Sequence, residues 1–305
     1  MSKIIISIID YKGKKNTLAC LNSLNTLTVP KGYEIEVVVI NNYPQDVLTI
    51  EKKYRNFSLT VLQNSVNSGF SGGHNVGIQF GKEKNAEYVL ILNNDVTVDK
   101  NLLSELITVA DRDLKTGIVV PKIYFSKGSE YHKDRYLAKE LGNVLWYAGG
   151  RIDWENILAS HRGVDEVDHG QYDTTEETEF ATGCCLLLRM STAIKVKGFD
   201  ERYFLYLEDL DLNMRVHMQG EKIMYAPKAY MWHHNAGSTG GSGSSLQDYF
   251  TTRNRLLFGK SYASLRARFA LFRESMRLLL RGREWQKYGV IDYYLHRFGK
   301  GRYNV

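Results

Sequence analysis

Short runs of β-branched and other apolar residues recur through the first half of the chain, each followed by an amphipathic stretch of helix length. The pairs are Ile4 to Ile9 with Thr17 to Leu27, Ile35 to Ile40 with Val47 to Tyr54, Leu59 to Leu62 with Asn75 to Lys82, and Tyr88 to Leu92 with Leu102 to Ala110. Continuous apolar runs of four to six residues suit strands buried on both faces, and their alternation with helices predicts βαβ units around a mostly parallel sheet. In such sheets ligands gather beyond the carboxyl ends of the strands. Each run ends in a polar cluster: Asp10-Tyr11, Asn41-Asn42, Asn64 to Gly73, and Asn93-Asn94-Asp95. Four polar clusters at one sheet edge predict a site.

The second half is less regular. Lys127 to Lys139 and Asp165 to Glu179 read as surface loops or a hairpin excursion, with Tyr147 to Ile152 as a short strand between them. Phe180 to Arg189 reads as a buried strand, and a helix is expected from about Glu208 to Gln219, ended by Gly220. The Gly- and Ser-rich stretch Gly237 to Ser245 is expected to be mobile. A further helix is expected from Ser261 onward. Leu265, Phe269, Phe272, Met276 and Leu279 fall on one stripe of it, among Arg266, Arg268, Arg273, Arg277 and Arg281. A basic amphipathic helix of this kind suits an anionic membrane surface, with packing on the preceding domain as the plainer reading.

Composition narrows the class. With 305 residues, 43% hydrophobic and 24% charged, the chain can bury a large core, so disorder is excluded. No stretch reaches the roughly 20 uncharged apolar residues of a membrane span, and the opening MSKIIISIID is strand-like rather than a signal peptide. A cytoplasmic protein is expected, peripheral at the inner face of the cell membrane. Three cysteines, two of them adjacent at Cys184 and Cys185, lack the pairing of a disulfide framework or a zinc site and read as buried thiols. The net charge of +6 is uneven: from Arg253 onward 13 Lys and Arg face three acids, leaving the rest of the chain at −4. Nucleic acid is not the expected partner, because no base-reading motif accompanies the basic tail.

Four segments carry candidate chemistry. Asn93-Asn94-Asp95 follows a buried strand, where a carboxylate can meet a hard divalent cation. Asn67 to Gly77 sets four glycines about a strand-to-helix turn, where backbone can approach a bound group and a helix start offers free amides to negative charge. It matches neither the phosphate loop with a terminal lysine nor the dinucleotide fingerprint. Glu208, Asp209 and Asp211 open a helix; repulsion and burial there can raise a carboxylate toward the range of a general base, while the helix dipole alone also favours acids at this position. Trp232-His233-His234 precedes the Gly-Ser stretch, and imidazole is an acceptable ligand for manganese-like ions.

The order of these motifs resembles the family 2 inverting glycosyltransferases of the GT-A fold, closest to their rhamnosyltransferase-like branch. The likeness runs from Ile4 to about Phe258 through NSGFSGGHNVG (67–77), LNNDV (92–96), Thr182-Gly183, Gly198-Phe199-Asp200-Glu201, YLEDLDL (206–212), and His233 to Arg253-Asn254. It implies a GT-A domain over 1–258, with a nucleotide-sugar half over about 1–125 and an acceptor half over about 126–258, and a helical extension over 259–305. It further implies Asp209 as catalytic base, and Asp95 and His233 as ligands of Mn2+ or Mg2+. The donor site would comprise Asp10, Tyr11, Asn41, Asn42, Gly69, Gly73, Asn75, Asn93 and Asn94, and the acceptor side Glu208 and Trp232. The expected donor is a nucleoside-diphosphate sugar, dTDP-rhamnose ahead of a UDP-hexose or UDP-N-acetylhexosamine, and the acceptor a cell-surface or lipid-linked glycan. Two positions depart from the family: Asp10-Tyr11-Lys12 replaces the usual Thr-Tyr-Asn, and Asn41 replaces the Asp that accepts from a pyrimidine ring N–H. The rival readings are a nucleotidyltransferase, which needs glycines that Asp10 to Lys15 lacks, and a degenerate nucleotide-sugar-binding protein.

Overall fold

The computed structural model describes residues 1–234 and 243–303. In chain order the elements are β1 (Ser2–Asp10), α1 (Lys14–Leu24), β2 (Tyr33–Asn41), β3 (Ser58–Gln63), α2 (Gly69–Glu83), β4 (Tyr88–Leu92), β5 (Val96–Val98), α3 (Leu102–Ala110), β6 (Thr116–Phe125) and β7 (Leu145–Tyr147). They continue with β8 (Gly150–Asp153), β9 (Leu158–His161), β10 (Glu176–Glu177), β11 (Cys185–Arg189), α4 (Met190–Val196), α5 (Glu208–Met218), β12 (Lys222–His233), α6 (Ser245–Tyr262), α7 (Leu265–Arg281) and α8 (Glu284–Tyr294). This is the α/β architecture expected.

Among the described residues one sheet runs in the order β10-β12-β6-β11-β4-β1-β2-β3, with β5 paired to β12 and β7 to β6. Strands β4, β1, β2 and β3 are parallel neighbours, and β6 runs parallel to β12. Strand β11 is antiparallel to both β4 and β6 and joins the two parallel blocks. The runs that predicted strands are the sheet's interior: Ile4, Ile5, Ile6, Val37, Val38, Val39 and all of Tyr88 to Leu92 are fully buried. Because β1 lies centrally, its carboxyl end and those of β2 and β4 open on one edge.

Helix α2 shows why its glycines are there. A Cβ at Gly73 would lie 2.6 Å from Ile9 Cδ1, one at Gly77 would lie 2.1 Å from Ser7 Oγ, and one at Gly81 would lie 3.4 Å from Ile5 Cγ1. Glycines four apart on the helix match alternate residues of β1, so the helix lies closer on the sheet than any side chain would permit. The expected phosphate-cradling turn is therefore a helix-to-sheet contact. Gly69 differs: it starts the helix at φ +69°, with Phe204 O 2.4 Å from where a Cβ would stand.

Several expectations are corrected. Val47 to Tyr54 forms no helix: Asn41 Nδ2 and Gln63 Nε2 donate to the carbonyls of Asp46 and Leu48 and pin this β-branched segment against the sheet edge. Tyr147 to Ile152 is divided between β7 and β8, and the strand expected from Phe180 begins only at Cys185. Strands β6 and β12 and helices α6 and α8 add to the expected elements. Much of the stretch read as a mobile Gly-Ser loop, 237–242, lies outside the described residues. The division expected at 258/259 falls within α6. On the stripe of α7, Leu265, Phe269 and Phe272 face solvent while Met276 and Leu279 are half-buried, and Ala267, Leu271 and Ser275 pack inward. No helix of the described residues is long and apolar enough to cross a membrane.

Candidate active site

At the carboxyl edge of the sheet a cavity of about 410 Å³ is walled by Tyr11 and Lys12 after β1, by Asn42 after β2, by Asn93, Asn94 and Asp95 after β4, and by Phe70, His74 and Phe204. A side cleft of about 250 Å³ opens between the ends of β1 and β2, lined by Asp10, Lys12, Asn41, Tyr43 and Asp46. Tyr11 and Tyr43 meet edge to face at 5.7 Å, and the Lys12 ammonium sits 4.6 Å above the Tyr43 ring.

Hydrogen bonds tie the strand ends together. Thr17 Oγ1 donates to Asp10 Oδ2 at 2.5 Å and accepts from Asn94 Nδ2 at 3.0 Å, linking β1, α1 and β4. Asn42 Oδ1 accepts from Asn64 Nδ2 and Ser68 Oγ, while its Nδ2 donates to Gly69 O at 2.7 Å. Asn41 donates to Asp46 O and Gln63 Oε1 and accepts from Tyr43 N, so its amide shapes the cleft wall. His74 is buried 2.9 Å from Ser7 Oγ, and burial alone pushes its pKa down to about 3, so the ring is neutral.

Asp95 follows the buried strand β4 and His233 ends β12. Strand β5 pairs antiparallel with β12, setting Val96 opposite His233, and His234 N donates to Asp95 O at 2.8 Å. The pairing brings His233 Nε2 to 3.3 Å from Asp95 Oδ1, with both side chains largely buried. The imidazole packs on Trp146 at 4.7 Å, and its Nδ1 has no hydrogen-bond partner among the described residues. No neighbour there fixes the tautomer, so Nε2 can present a lone pair to a cation beside a carboxylate oxygen. An oxygen and an imidazole nitrogen suit Mn2+ or Mg2+. Among the described residues no third His, Cys, Asp or Glu joins them, so a cation would complete its coordination with ligand oxygens and water.

Asp209 lies in the first turn of α5. Its Oδ2 accepts from Gly183 N at 3.0 Å and its Oδ1 from Leu210 N at 2.8 Å. Desolvation raises its pKa above the ordinary carboxylate value, against the opposing pull of those amides. Asp209 is not among the residues that line the cavity; Gly183 lies between it and the wall residue Phe70, since a Cβ there would stand 2.9 Å from Phe70 Cζ and 3.6 Å from Asp209 Cβ. The next residue, Cys184, accepts from Asn93 N at 2.9 Å, so one short segment, 183–184, touches both candidate carboxylate loops.

Phe204, Tyr206 and Leu207, which lead into α5, all take left-handed backbone at φ 65° to 67°. Three bulky residues there cost roughly 1 kcal/mol or more each. A buried pair on α6 opposes that cost. Asn254 Nδ2 lies 2.8 Å from the carbonyls of Tyr203, Leu205 and Tyr206, and Arg253 donates to those of Arg202, Tyr203 and Gly299.

Residues 4–194 match the Glycosyl transferase family 2 domain, more than half of the chain. The chain belongs to glycosyl transferase family 2. The N-acetylglucosaminyl-diphospho-decaprenol L-rhamnosyltransferase of Mycobacterium tuberculosis is 30% identical over 154 residues, 50% of this chain and 49% of that protein, so the match spans about half the relative's length. The fold is shared with S. aureus TarS 1-349 in complex with UDP-GlcNAc (TM-score 0.59, 18% identity, 96% of this chain and 79% of that one). It is shared also with GalNAc-T7 with UDP, GalNAc and Mn2+ (TM-score 0.58, 15% identity, 97% and 57%).

For this family 2 chain, the geometry sorts the expected site residues. Asp10, Tyr11, Asn41, Asn42, Gly69, Asn93, Asn94 and Asp95 line the cavity or its side cleft. Gly73 and Asn75 do not. Gly73 packs on Ile9, and Asn75 joins α2 to the loop after α4 through Phe199 N, Phe199 O and Glu201. Glu208 is not on an acceptor surface: it is buried, its Oε2 lacks a partner among the described residues, and desolvation with the adjacent Asp209 raises its pKa well above the carboxylate range. Trp232 alternates with His233 along β12 and faces the other way, stacking on Tyr124 and donating to Gly142 O. The tryptophan beside His233 is Trp146, held also against His161 at 4.3 Å. Sequence reading missed Trp146 because it joins the site by a long-range contact. Arg253-Asn254 was visible as a motif, without its task.

Proposed function

We propose that the protein is an inverting, divalent-metal-dependent glycosyltransferase that moves a sugar from a nucleoside diphosphate to an acceptor hydroxyl. The observation that carries this reading is the 3.3 Å approach of His233 to Asp95, a residue of the cavity wall, with Gly183 lying between Asp209 and the wall residue Phe70. Lys12, Asn41 and Tyr43 of the side cleft, with Tyr11 and Asn42 of the adjoining cavity wall, receive the base and ribose, and Asn93 and Asn94 border the diphosphate. Asp95 and His233 would hold a divalent cation, and its charge would neutralise the departing diphosphate. Asp209 takes the proton of the acceptor hydroxyl as that oxygen bonds to the anomeric carbon. The bond from that carbon to the diphosphate oxygen breaks on the opposite face, so the anomeric configuration inverts. The two backbone amides on Asp209 aim its carboxylate, and burial keeps it basic enough to accept a proton.

The donor is dTDP-rhamnose and the acceptor a cell-surface polysaccharide or lipid-linked glycan; the name of the M. tuberculosis relative supports the rhamnosyl group and the lipid-linked acceptor. The chemistry belongs to the domain over about 1–258, whose last helix, α6, runs on to Tyr262 into the extension over 259–305. Purified protein incubated with dTDP-rhamnose, UDP-glucose or UDP-N-acetylglucosamine, with Mn2+, Mg2+ or chelator, should release dTDP fastest and only with metal. Fastest release of UDP would move the assignment to a UDP-hexose enzyme of the same fold. Release of no nucleotide from any donor, with labelled donor still bound, would indicate a non-catalytic binding protein.

A further inference from the structure

Helix α7 has two apolar faces. Ala267, Leu271 and Ser275 turn inward, while Leu265, Phe269, Phe272 and Leu280 are 82, 63, 48 and 79% exposed, with Met276 half-buried among them. At about 100° per residue these five fall within roughly 80° of arc, turned well away from the inward face. Arg268 borders the arc on one side, and Arg273, Arg266 and Arg277 on the other. Among the described residues none of these arginines is within salt-bridge distance of a carboxylate, whereas nearby Arg255 and Arg283 are paired with Glu274 and Asp248.

We propose that this face docks on an anionic lipid bilayer, with α7 lying in the plane of the interface. Leu265, Phe269, Phe272 and Leu280 enter the acyl boundary, and the flanking guanidiniums reach lipid phosphates. Unpaired arginines on both borders of an apolar seam match anionic headgroups above hydrocarbon. They do not match a second copy of the same face, which would bring like charges together on both borders of the seam. Exposed phenylalanine and leucine at the centre do not suit a nucleic-acid backbone. The surface is independent of the sugar chemistry, and its test fails or succeeds apart from any transfer assay.

Flotation of the full chain with vesicles of phosphatidylcholine alone or with phosphatidylglycerol tests it. Wild type should float with the anionic vesicles, less as salt rises, and remain below with the neutral ones. Phe269→Ser with Phe272→Ser, and separately Arg268→Glu with Arg273→Glu, should each lower partitioning at least about tenfold. Because these side chains are exposed, melting temperature should not change. Wild type that ignores anionic vesicles, or a double phenylalanine variant that floats like wild type, overturns the proposal. So does light scattering that shows a dimer dissociated by the phenylalanine changes.

Discussion

Glu208 and Asp209 are consecutive carboxylates with different surroundings. Asp209 receives two backbone amides, while Glu208 is buried with an oxygen that lacks a partner among the described residues and is held protonated far above the unfolded value of about 4.3. Between those two values the folded state keeps a proton that the unfolded chain releases, so stability falls as pH rises, by up to about 1.4 kcal/mol per pH unit. Glu208→Gln removes that loss: denaturation midpoints from pH 4 to 8 should decline for wild type and decline less for the variant. Parallel curves would show that Glu208 ionises freely. Transfer should fall as pH is lowered through the raised pKa of Asp209, since a base accepts a proton only when ionised. The acidic helix start was legible in sequence, but which of its carboxyls meets an amide was not, because Gly183 reaches Asp209 from another part of the chain.

At the scale of elements, α2 and α6 set the site in different ways. Gly77 leaves no room for a methyl group over Ser7, so Gly77→Ala should destabilise by about 1–3 kcal/mol despite alanine's better helix propensity, as read by chemical denaturation. On α6, Asn254→Ala strips a shared donor from three carbonyls of the left-handed loop. A loss of about 1–3 kcal/mol in stability is expected, with kcat falling more than KM rises, because the loop leads to Asp209. The strands were legible because buried parallel strands are apolar throughout. The glycines were legible as glycines and not as a packing stripe, since a turn near phosphate and a close helix contact demand the same residue. Val47 to Tyr54 looks like a helix locally, and the hydrogen bonds that hold it otherwise come from Asn41 and Gln63.

For the whole molecule, the central fact is that the antiparallel pairing of β5 with β12 joins residues far apart in sequence into one Asp-His pair. Neither residue's spacing foretold that contact; the resemblance to family 2 did, and the cavity follows from the sheet edge already implied by four polar clusters. Trp146 and the loop clamp of Arg253 and Asn254 came only with coordinates, because long-range packing leaves no periodic trace in sequence. Titration of dTDP into wild type, Asp95→Ala and Asp209→Asn, each with Mn2+ and with chelator, tests the account most directly. Wild type and Asp209→Asn should bind alike and lose affinity with chelator, while Asp95→Ala should bind at least about tenfold more weakly and respond little to the metal. Metal-independent binding in wild type, or an equal loss in Asp209→Asn and Asp95→Ala, would contradict it.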